Sequence, residues 1–322
     1  MTLKTMEEKL YVSPSPHLRS GDTTRKLMGD VVIALVPAMI ASGIIFGPRA
    51  ILVILVTVLS CVLSEYVCRK VMKRENTISD LSAVVTGVLL AFNLPVSINL
   101  VMAAFGGVIA IVVVKQMFGG IGMNFVNPAL TARIVLMASF PSQMSTWSEP
   151  FYFLKGSADA ITTASPLNVM ANGGDMPSYF QMALGLRAGC LGETCAVALV
   201  LGGIYLAARG VIRVEIPLCY IGTVLLFTLA LGQDPLYHLL SGGLLLGAIF
   251  MATDYVTSPL TFWGRIVFAV GCGVLTVLIR VFGSLPEGVS FSIILMNILV
   301  PHIEKLTRPK PFGEEGKRRE KA

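Results

Sequence analysis

This chain has few charged residues. Lysine, arginine, aspartate and glutamate make up only 14% of its 322 residues, whereas 54% are hydrophobic. A soluble domain carries about 25% charged residues. The chain therefore has too little polar surface to cover a water-soluble globule. Backbone groups in a membrane are satisfied by helices, so the composition predicts an all-α polytopic membrane protein.

Motifs for metal binding or hydrolysis are also missing. The three histidines show no metal-ligand spacing, and the six cysteines form no CxxC pair. Cys190 and Cys195 have a CxxxxC spacing that could ligate iron, but no further ligands are near them in the sequence. We favour the interpretation that the cysteines are small buried hydrophobic side chains. No Ser-His-Asp set and no Gly-Lys-Ser/Thr phosphate loop occur.

Long hydrophobic runs occur ten times, although several are short. They lie near 28–46, 51–67, 81–94, 99–114, 126–140, 191–207, 213–231, 236–252, 266–283 and 289–303. Spanning a bilayer takes roughly 20 helical residues. The run 81–94 would rise only about 21 Å and ends at Asn93-Leu94-Pro95, which stops a helix. Such a segment is tolerated only where it faces protein or a cavity.

Basic residues predict the topology. The first 26 residues contain no apolar run, so we expect no cleaved signal. Most lysines and arginines lie in the two tails and in the loops expected on the same side. The positive-inside rule therefore predicts cytoplasmic termini and an outer linker. This placement beside the membrane also speaks against nucleic-acid binding. The predicted parts are tail 1–27, first membrane repeat 28–140, linker 141–189, second membrane repeat 190–304 and basic tail 305–322.

Two similar segments predict a duplication. Residues 86–92 (TGVLLAF) resemble residues 241–247 (SGGLLLG), and each segment has two apolar runs before it and two after it. Five runs in each half place the halves in opposite orientations. We therefore expect about ten transmembrane helices in two inverted five-helix repeats, mainly because of the number of runs.

A hydroxyl-rich segment lies in the longest polar interval. Residues 159–167 read DAITTASPL and resemble the D-x-x-(S/T)-(G/T)-A-(T/S) signature at which a transferase attaches FMN through its phosphate. The signature begins at Asp159, and its last position, Ser165, would be the acceptor. Thr162 and Thr163 could donate hydrogen bonds to the phosphate. An ordinary turn would use the same residue types.

A glycine-rich segment precedes the fifth apolar run. Residues 119–133 read GGIGMNFVNPALTAR, in which Asn127-Pro128 is expected to start a helix. Backbone N–H groups at such an N-terminus favour anions, and Arg133 adds a positive charge. We expect a flavin site that includes Asn124 and Asn127. A tight loop with Arg133 paired to a carboxylate is the equal alternative.

Several acidic residues lie at the ends of apolar runs. In residues 251–259 (MATDYVTSP), Asp254 and Thr257 could coordinate Na⁺ or bind a flavin, although helix capping explains the same pattern. Asp30, Glu65 and Glu193 also lie at run ends. For these three we expect interfacial or capping charges in preference to an ion relay.

Four segments, residues 13–17 (SPSPH), 119–133, 159–167 and 251–259, together resemble the RnfD family in their order and spacing. This family comprises the D subunits of Rnf complexes. The B subunit of the Na⁺-translocating NADH:quinone reductase is homologous to this family. The resemblance extends from about residue 17 to about residue 312. It implies an electron-transfer component of a translocase, a ferredoxin:NAD⁺ oxidoreductase that pumps Na⁺ or H⁺. It also implies a fold like that of urea and ammonium channels, and a location in a bacterial cytoplasmic (inner) membrane.

The resemblance further implies covalent FMN as a cofactor, and related proteins hold riboflavin as well. The implied partners are a flavin transferase, membrane lipid, and other Rnf subunits, including a second FMN-carrying subunit and iron–sulfur subunits. Many relatives have threonine at the acceptor position, where this chain has Ser165. A small-solute channel without a redox role, or a structural anchor for redox partners, would share the helices and lack the flavin.

Overall fold

The structure is a computed structural model that describes residues 21–154, 162–163, 165–171, 176–193, 195–283 and 288–309. Helices dominate these residues. The first half contains α1 Thr24–Phe46, α2 Pro48–Val71, α3 Ser82–Phe92, α4 Leu100–Val108, continued as a π-helix over Ile109–Gln116, and α5 Pro128–Ser139. A 3₁₀ turn, Ile78–Asp80, precedes α3.

The second half is helical as well. It contains α9 Ala196–Ala208, α10 Glu215–Ala230, α11 Pro235–Leu240, α12 Leu244–Leu246, continued as a π-helix over Gly247–Met251, α13 Phe262–Phe282 and α14 Val289–Thr307. Each of the ten apolar runs thus contains a helix. Four of these helices, α1, α2, α13 and α14, are long and apolar enough to cross a membrane.

Small elements make up the described part of the linker between the halves. They are α6 Pro141–Met144, β1 Trp147–Ser148, a 3₁₀ turn Tyr152–Leu154, β2 Thr162–Thr163, α7 Pro166–Ala171 and α8 Tyr179–Leu184. The two strands are antiparallel, with Trp147 opposite Thr163. The linker is attached to the bundle through Phe151, whose N–H donates to the Ile45 carbonyl at 2.8 Å.

Two short elements are enclosed by the rest of the bundle. The first is α3, which begins after Leu81 in a left-handed conformation (φ 63°) and ends before Asn93, as the Asn-Leu-Pro sequence predicts. Its 11 residues rise only about 16 Å. The other is α12 with its π-helix, which begins after Gly243 (φ 53°) and is buried throughout. Both face protein, as a broken helix in a membrane requires.

Close helix packing depends on glycine. A Cβ on Gly87 of α3 would lie 2.7 Å from the Cα of Val58 in α2, which is closer than atoms can pack. Small residues allow such contacts between membrane helices. The end of the bundle with Thr24, Val71 and Thr307 is called the tail face below. The opposite end, with Phe46 and Ser139, is called the linker face.

Candidate functional site

A cavity of about 100 Å³ lies between α1, α3, α5, α9 and the loop after the second π-helix. Its walls are apolar, with Val85, Leu89 and Phe250 among them. Its polar lining residues are Ser82, Thr86, Lys115, Asn124, Asn127, Thr253 and Asp254. Few polar groups converging on an apolar cavity are typical of a small-molecule site. The cavity brings together three of the predicted site residues, Asn124, Asn127 and Asp254.

Asn127 is held at the cavity by helix capping. Its side-chain oxygen accepts hydrogen bonds from the N–H groups of Ala129 and Leu130, at 3.1 and 3.2 Å, as an N-cap does. Its amide nitrogen donates to the carbonyl of Met251, 3.4 Å away in the second π-helix. The helix start predicted from Asn127-Pro128 therefore also joins the two halves of the chain.

Asp254 lies in the loop after the second π-helix and faces the cavity. Its carboxylate accepts hydrogen bonds from Thr257 Oγ1 at 3.2 Å and from the Val256 N–H at 3.4 Å. Burial raises the pKa of this carboxyl, although these hydrogen bonds oppose the shift. In the described part of the chain no basic side chain forms an ion pair with it. A cation or a ligand N–H group would satisfy it.

A buried ion pair borders the same cavity. Lys115 Nζ lies 3.0 Å from Glu65 Oε2 and donates to Ser82 Oγ at 2.6 Å. Glu65 Oε1 also accepts hydrogen bonds from Gln116 and Thr77, both at 2.9 Å. The expectation of an interfacial or capping charge is therefore wrong for Glu65, which is 0% exposed. Its partner lies 50 residues away, on the π-helix that continues α4.

Arg133 lies outside the cavity lining, in a second buried ionic group. Its Nη1 donates to Asn93 Oδ1 at 2.7 Å and to Ser290 Oγ at 3.0 Å, and its Nη2 lies 3.4 Å from Glu193 Oε1. The pairing of Arg133 with a carboxylate is thus what the structure shows. Glu193 is 4% exposed, so the expectation of an edge charge is wrong for it too.

Two further buried arginines lie next to Glu193 and complete this group. Arg187 Nη2 donates to the Glu193 carbonyl at 2.6 Å. Arg280 donates to the carbonyls of His238, at 2.7 Å, and Ser241, at 2.9 Å. The name arginine cluster is used below for Arg133, Arg187, Arg280 and Glu193. Sequence reasoning missed Arg187 and Arg280 as functional candidates, although an arginine in the last turn of an apolar helix is a usable signal for Arg280.

The predicted acceptor, Ser165, lies in the linker, away from the cavity. It directly precedes α7, its carbonyl accepts the Val169 N–H at 2.9 Å, and its side chain is buried. Thr162 and Thr163 form β2. Asp159 lies outside the described residues. The structure therefore divides the predicted site residues between the cavity, the arginine cluster and the linker.

A cluster of metal-binding side chains is absent from the described residues. No group of three histidine, cysteine, aspartate or glutamate side chains there could hold a metal ion. The cysteines are all free, and Cys190 contacts Arg133 and the Asn93 carbonyl.

The fold and site define a multi-pass helical membrane protein with an apolar cavity that a few polar groups line, and with ion pairs buried within its helices. Residues 11–313 match the NQR2, RnfD, RnfE family, and the chain belongs to it. This confirms the resemblance found in the sequence.

Three relatives are similar to nearly the whole chain. The D subunit of the Na⁺-translocating ferredoxin:NAD⁺ oxidoreductase complex of Acetobacterium woodii is 47% identical, with 95% of this chain and 96% of the relative covered. The D subunit of the proton-translocating ferredoxin:NAD⁺ oxidoreductase complex of Clostridium ljungdahlii is 43% identical, with 94% and 96% covered. The D subunit of the ion-translocating oxidoreductase complex of Stutzerimonas stutzeri is 38% identical, with 91% and 93% covered.

Proposed function

We propose that this chain is the membrane subunit of an Rnf-type ferredoxin:NAD⁺ oxidoreductase, a translocase that couples electron flow to the movement of Na⁺ or H⁺. The observation that carries the proposal is the identity of 47% and 43% with two such subunits over nearly their whole lengths. One relative is named for Na⁺ and the other for protons, so the proposal covers both ions. The same relatives favour the redox function over a solute channel.

Deleting the chain from its own host tests this function. We expect membranes without it to lose ferredoxin-dependent NAD⁺ reduction together with the ion uptake that this reaction drives in inverted vesicles. Re-expression of the full chain restores both. A deletion strain that keeps either activity would contradict the proposal. A parallel assay of an unrelated membrane enzyme controls for vesicle quality.

Covalent FMN at Ser165 is the proposed redox group. The support is the signature from Asp159 to Ser165, and the position of Ser165 directly before α7. The serine oxygen would form a new P–O bond while a phosphoanhydride bond of the flavin donor breaks. Its proton would pass to a base supplied by the transferase. Bound FMN supplies one- and two-electron transfer, and Thr162 and Thr163 are the nearby candidates for hydrogen bonds to its phosphate.

The cavity is a candidate for a second, non-covalent flavin such as riboflavin. Its apolar walls suit an aromatic ring system, and Asn124, Asn127 and Asp254 offer donors and acceptors for the ring edge. Thr257 would act by orienting Asp254.

Replacing a cavity amide tests this second site. We expect Asn124→Ala to reduce the riboflavin released when the purified complex is denatured, while covalent flavin stays at the wild-type level. The reason is that Asn124 lines the cavity and Ser165 lies in the linker. Gln143→Ala, an amide of a separate pocket near Arg49 and Thr146, is the matched control. Unchanged riboflavin in Asn124→Ala would count against the cavity.

The proposed architecture is two inverted repeats with a channel-like fold. Contacts across the halves support it, because α1 packs against α9 and α5 against α14, which pairs the first segment with the sixth and the fifth with the tenth. In the third and eighth segments, one helix also begins after a left-handed residue: α3 follows Leu81 and α12 follows Gly243. The tail face would be cytoplasmic and the linker face outside, as the basic residues predict.

The proposed partners are the other Rnf subunits, a flavin transferase and membrane lipid. One face of α2 supports the last of these, because Leu52, Leu55, Leu59 and Leu63 recur at helical spacing and are all exposed. Such a stripe suits lipid chains or a neighbouring membrane subunit.

A further inference from the structure

Within the described residues, Arg187 and Arg280 are buried and neither forms an ion pair with a carboxylate. They are 6% and 9% exposed, and each donates to backbone carbonyls. The carboxylate of the arginine cluster, Glu193, forms its ion pair with Arg133. The described contacts thus set three guanidinium groups against one carboxylate. A buried charge without a partner is costly, so this excess of positive charge calls for an anion.

Buried polar atoms at the same place lack partners. Arg187 Nη1, Arg280 Nε and Ser241 Oγ have no hydrogen-bond partner within the described residues. Arg187 lies in the linker, and burial lowers the pKa of its guanidinium to about 10. The charge of Glu193 opposes this shift, and the like charge of Arg280 adds to it. A nearby anion would offset both the burial and the repulsion.

The acceptor segment contacts this region on either side of Ser165. Two residues after Ser165, Leu167 packs at Gly242, where a Cβ would lie 2.4 Å from Leu167 Cδ1 and 3.3 Å from Arg280 Nη2. Two residues before it, Thr163 pairs with Trp147. Consecutive Cα atoms are about 3.8 Å apart, so the Ser165 Cα lies within about 8 Å of the Cα atoms of Leu167 and Thr163.

Trp147, which pairs with Thr163, contacts the segment that follows Arg187. Trp147 packs with Ala188 and Cys190 in a small buried cluster. Ala188 directly follows Arg187, and Cys190 contacts Arg133. The residues two positions before and after Ser165 thus make contacts that connect this segment to Arg187 and to Arg280, respectively.

We propose that Arg187 and Arg280 supply the positive countercharge for the phosphodiester formed between FMN and Ser165. This inference rests on the proposed covalent attachment and names chain residues that act on the attached group. The enclosed space beside Arg187 and Ser241 is about 10 Å³. It accommodates at most one water molecule, so the guanidinium groups act across a short stretch of low-dielectric interior or through that water.

The midpoint potential of the covalent flavin tests the proposal. Reduction adds negative charge to the flavin, and a positive charge nearby favours it. We therefore expect Arg187→Gln and Arg280→Gln to shift the midpoint potential to more negative values, and Arg187→Lys and Arg280→Lys to preserve it. Arg49→Gln is the matched control, because Arg49 also donates to backbone carbonyls, those of Val96 and Ile98, on the linker face. A purely structural role would not separate Gln from Lys in this way.

Each outcome decides one of the two proposals. A wild-type protein without covalent flavin would overturn the attachment and this inference with it. Flavinylated Gln variants with an unchanged potential would overturn the inference alone. If the Gln variants do not accumulate, the melting temperature of wild type made with and without the transferase decides. A higher value for the flavinylated form supports the countercharge, and equal values refute it.

Discussion

Ser165→Ala is expected to abolish covalent flavin. The wild-type chain, made together with its flavin transferase, should fluoresce as a denatured band in a gel, and the variant band should be dark. The physical reason is that alanine has no oxygen to form the phosphoester. Because Ser165 precedes a six-residue helix in the linker, its loss should leave the membrane helices assembled.

Two controls make this result specific. Ser165→Thr keeps a hydroxyl at the same position and should stay fluorescent. Thr162→Ala and Thr163→Ala should also stay fluorescent, since these residues lie in β2, before the acceptor position of the signature. A fluorescent Ser165→Ala band would move the acceptor to another hydroxyl. A dark wild-type band, with the transferase active on a control substrate, would contradict the proposal that this chain carries covalent flavin.

Lys115→Met is expected to destabilise the protein by about 3–5 kcal/mol, the usual cost of removing one partner of a buried ion pair. The change leaves Glu65 fully buried, with only the hydrogen bonds from Gln116 and Thr77. Thermal unfolding of the purified protein in detergent measures the effect. Lys26→Met is the matched control, because Lys26 pairs with Asp22 in solvent, where such pairs contribute about 0–1 kcal/mol.

The double variant Glu65→Gln with Lys115→Met separates the pair from its surroundings. Removing both charges also removes the unpaired buried carboxylate, so most of the lost stability should return. If the double variant is as unstable as the sum of the single variants, the two residues are not coupled. The 3.0 Å contact between Lys115 and Glu65 would then have no energetic meaning.

Local sequence patterns predicted the helices well. The ten apolar runs all contain helices, and Asn93-Leu94-Pro95 ends α3 where the sequence indicates. Asn127-Pro128 begins α5, with Asn127 as its cap. Capping and helix breaking depend on residues within one turn of each other, so they can be recognised without tertiary information.

Local patterns failed for the buried charges. Glu65 and Glu193 look like edge residues because each lies at the end of an apolar run, yet both are buried in ion pairs. The partner of Glu65 lies 50 residues further on, and Arg133 and Glu193 come from different halves of the chain. Hydrophobic periodicity predicts where a helix is apolar, but it does not predict which distant side chain contacts that helix.

Composition and short motifs were sufficient to predict the class of protein, its helical segments, its family and a candidate flavin acceptor at Ser165. The distribution of the predicted site residues became visible only in the folded structure. It places Asn124, Asn127 and Asp254 at one cavity, pairs Glu193 with Arg133, and brings Arg187 to the Glu193 carbonyl. The physical reason is that a buried charge is tolerated only beside a partner, and long-range helix packing selects that partner.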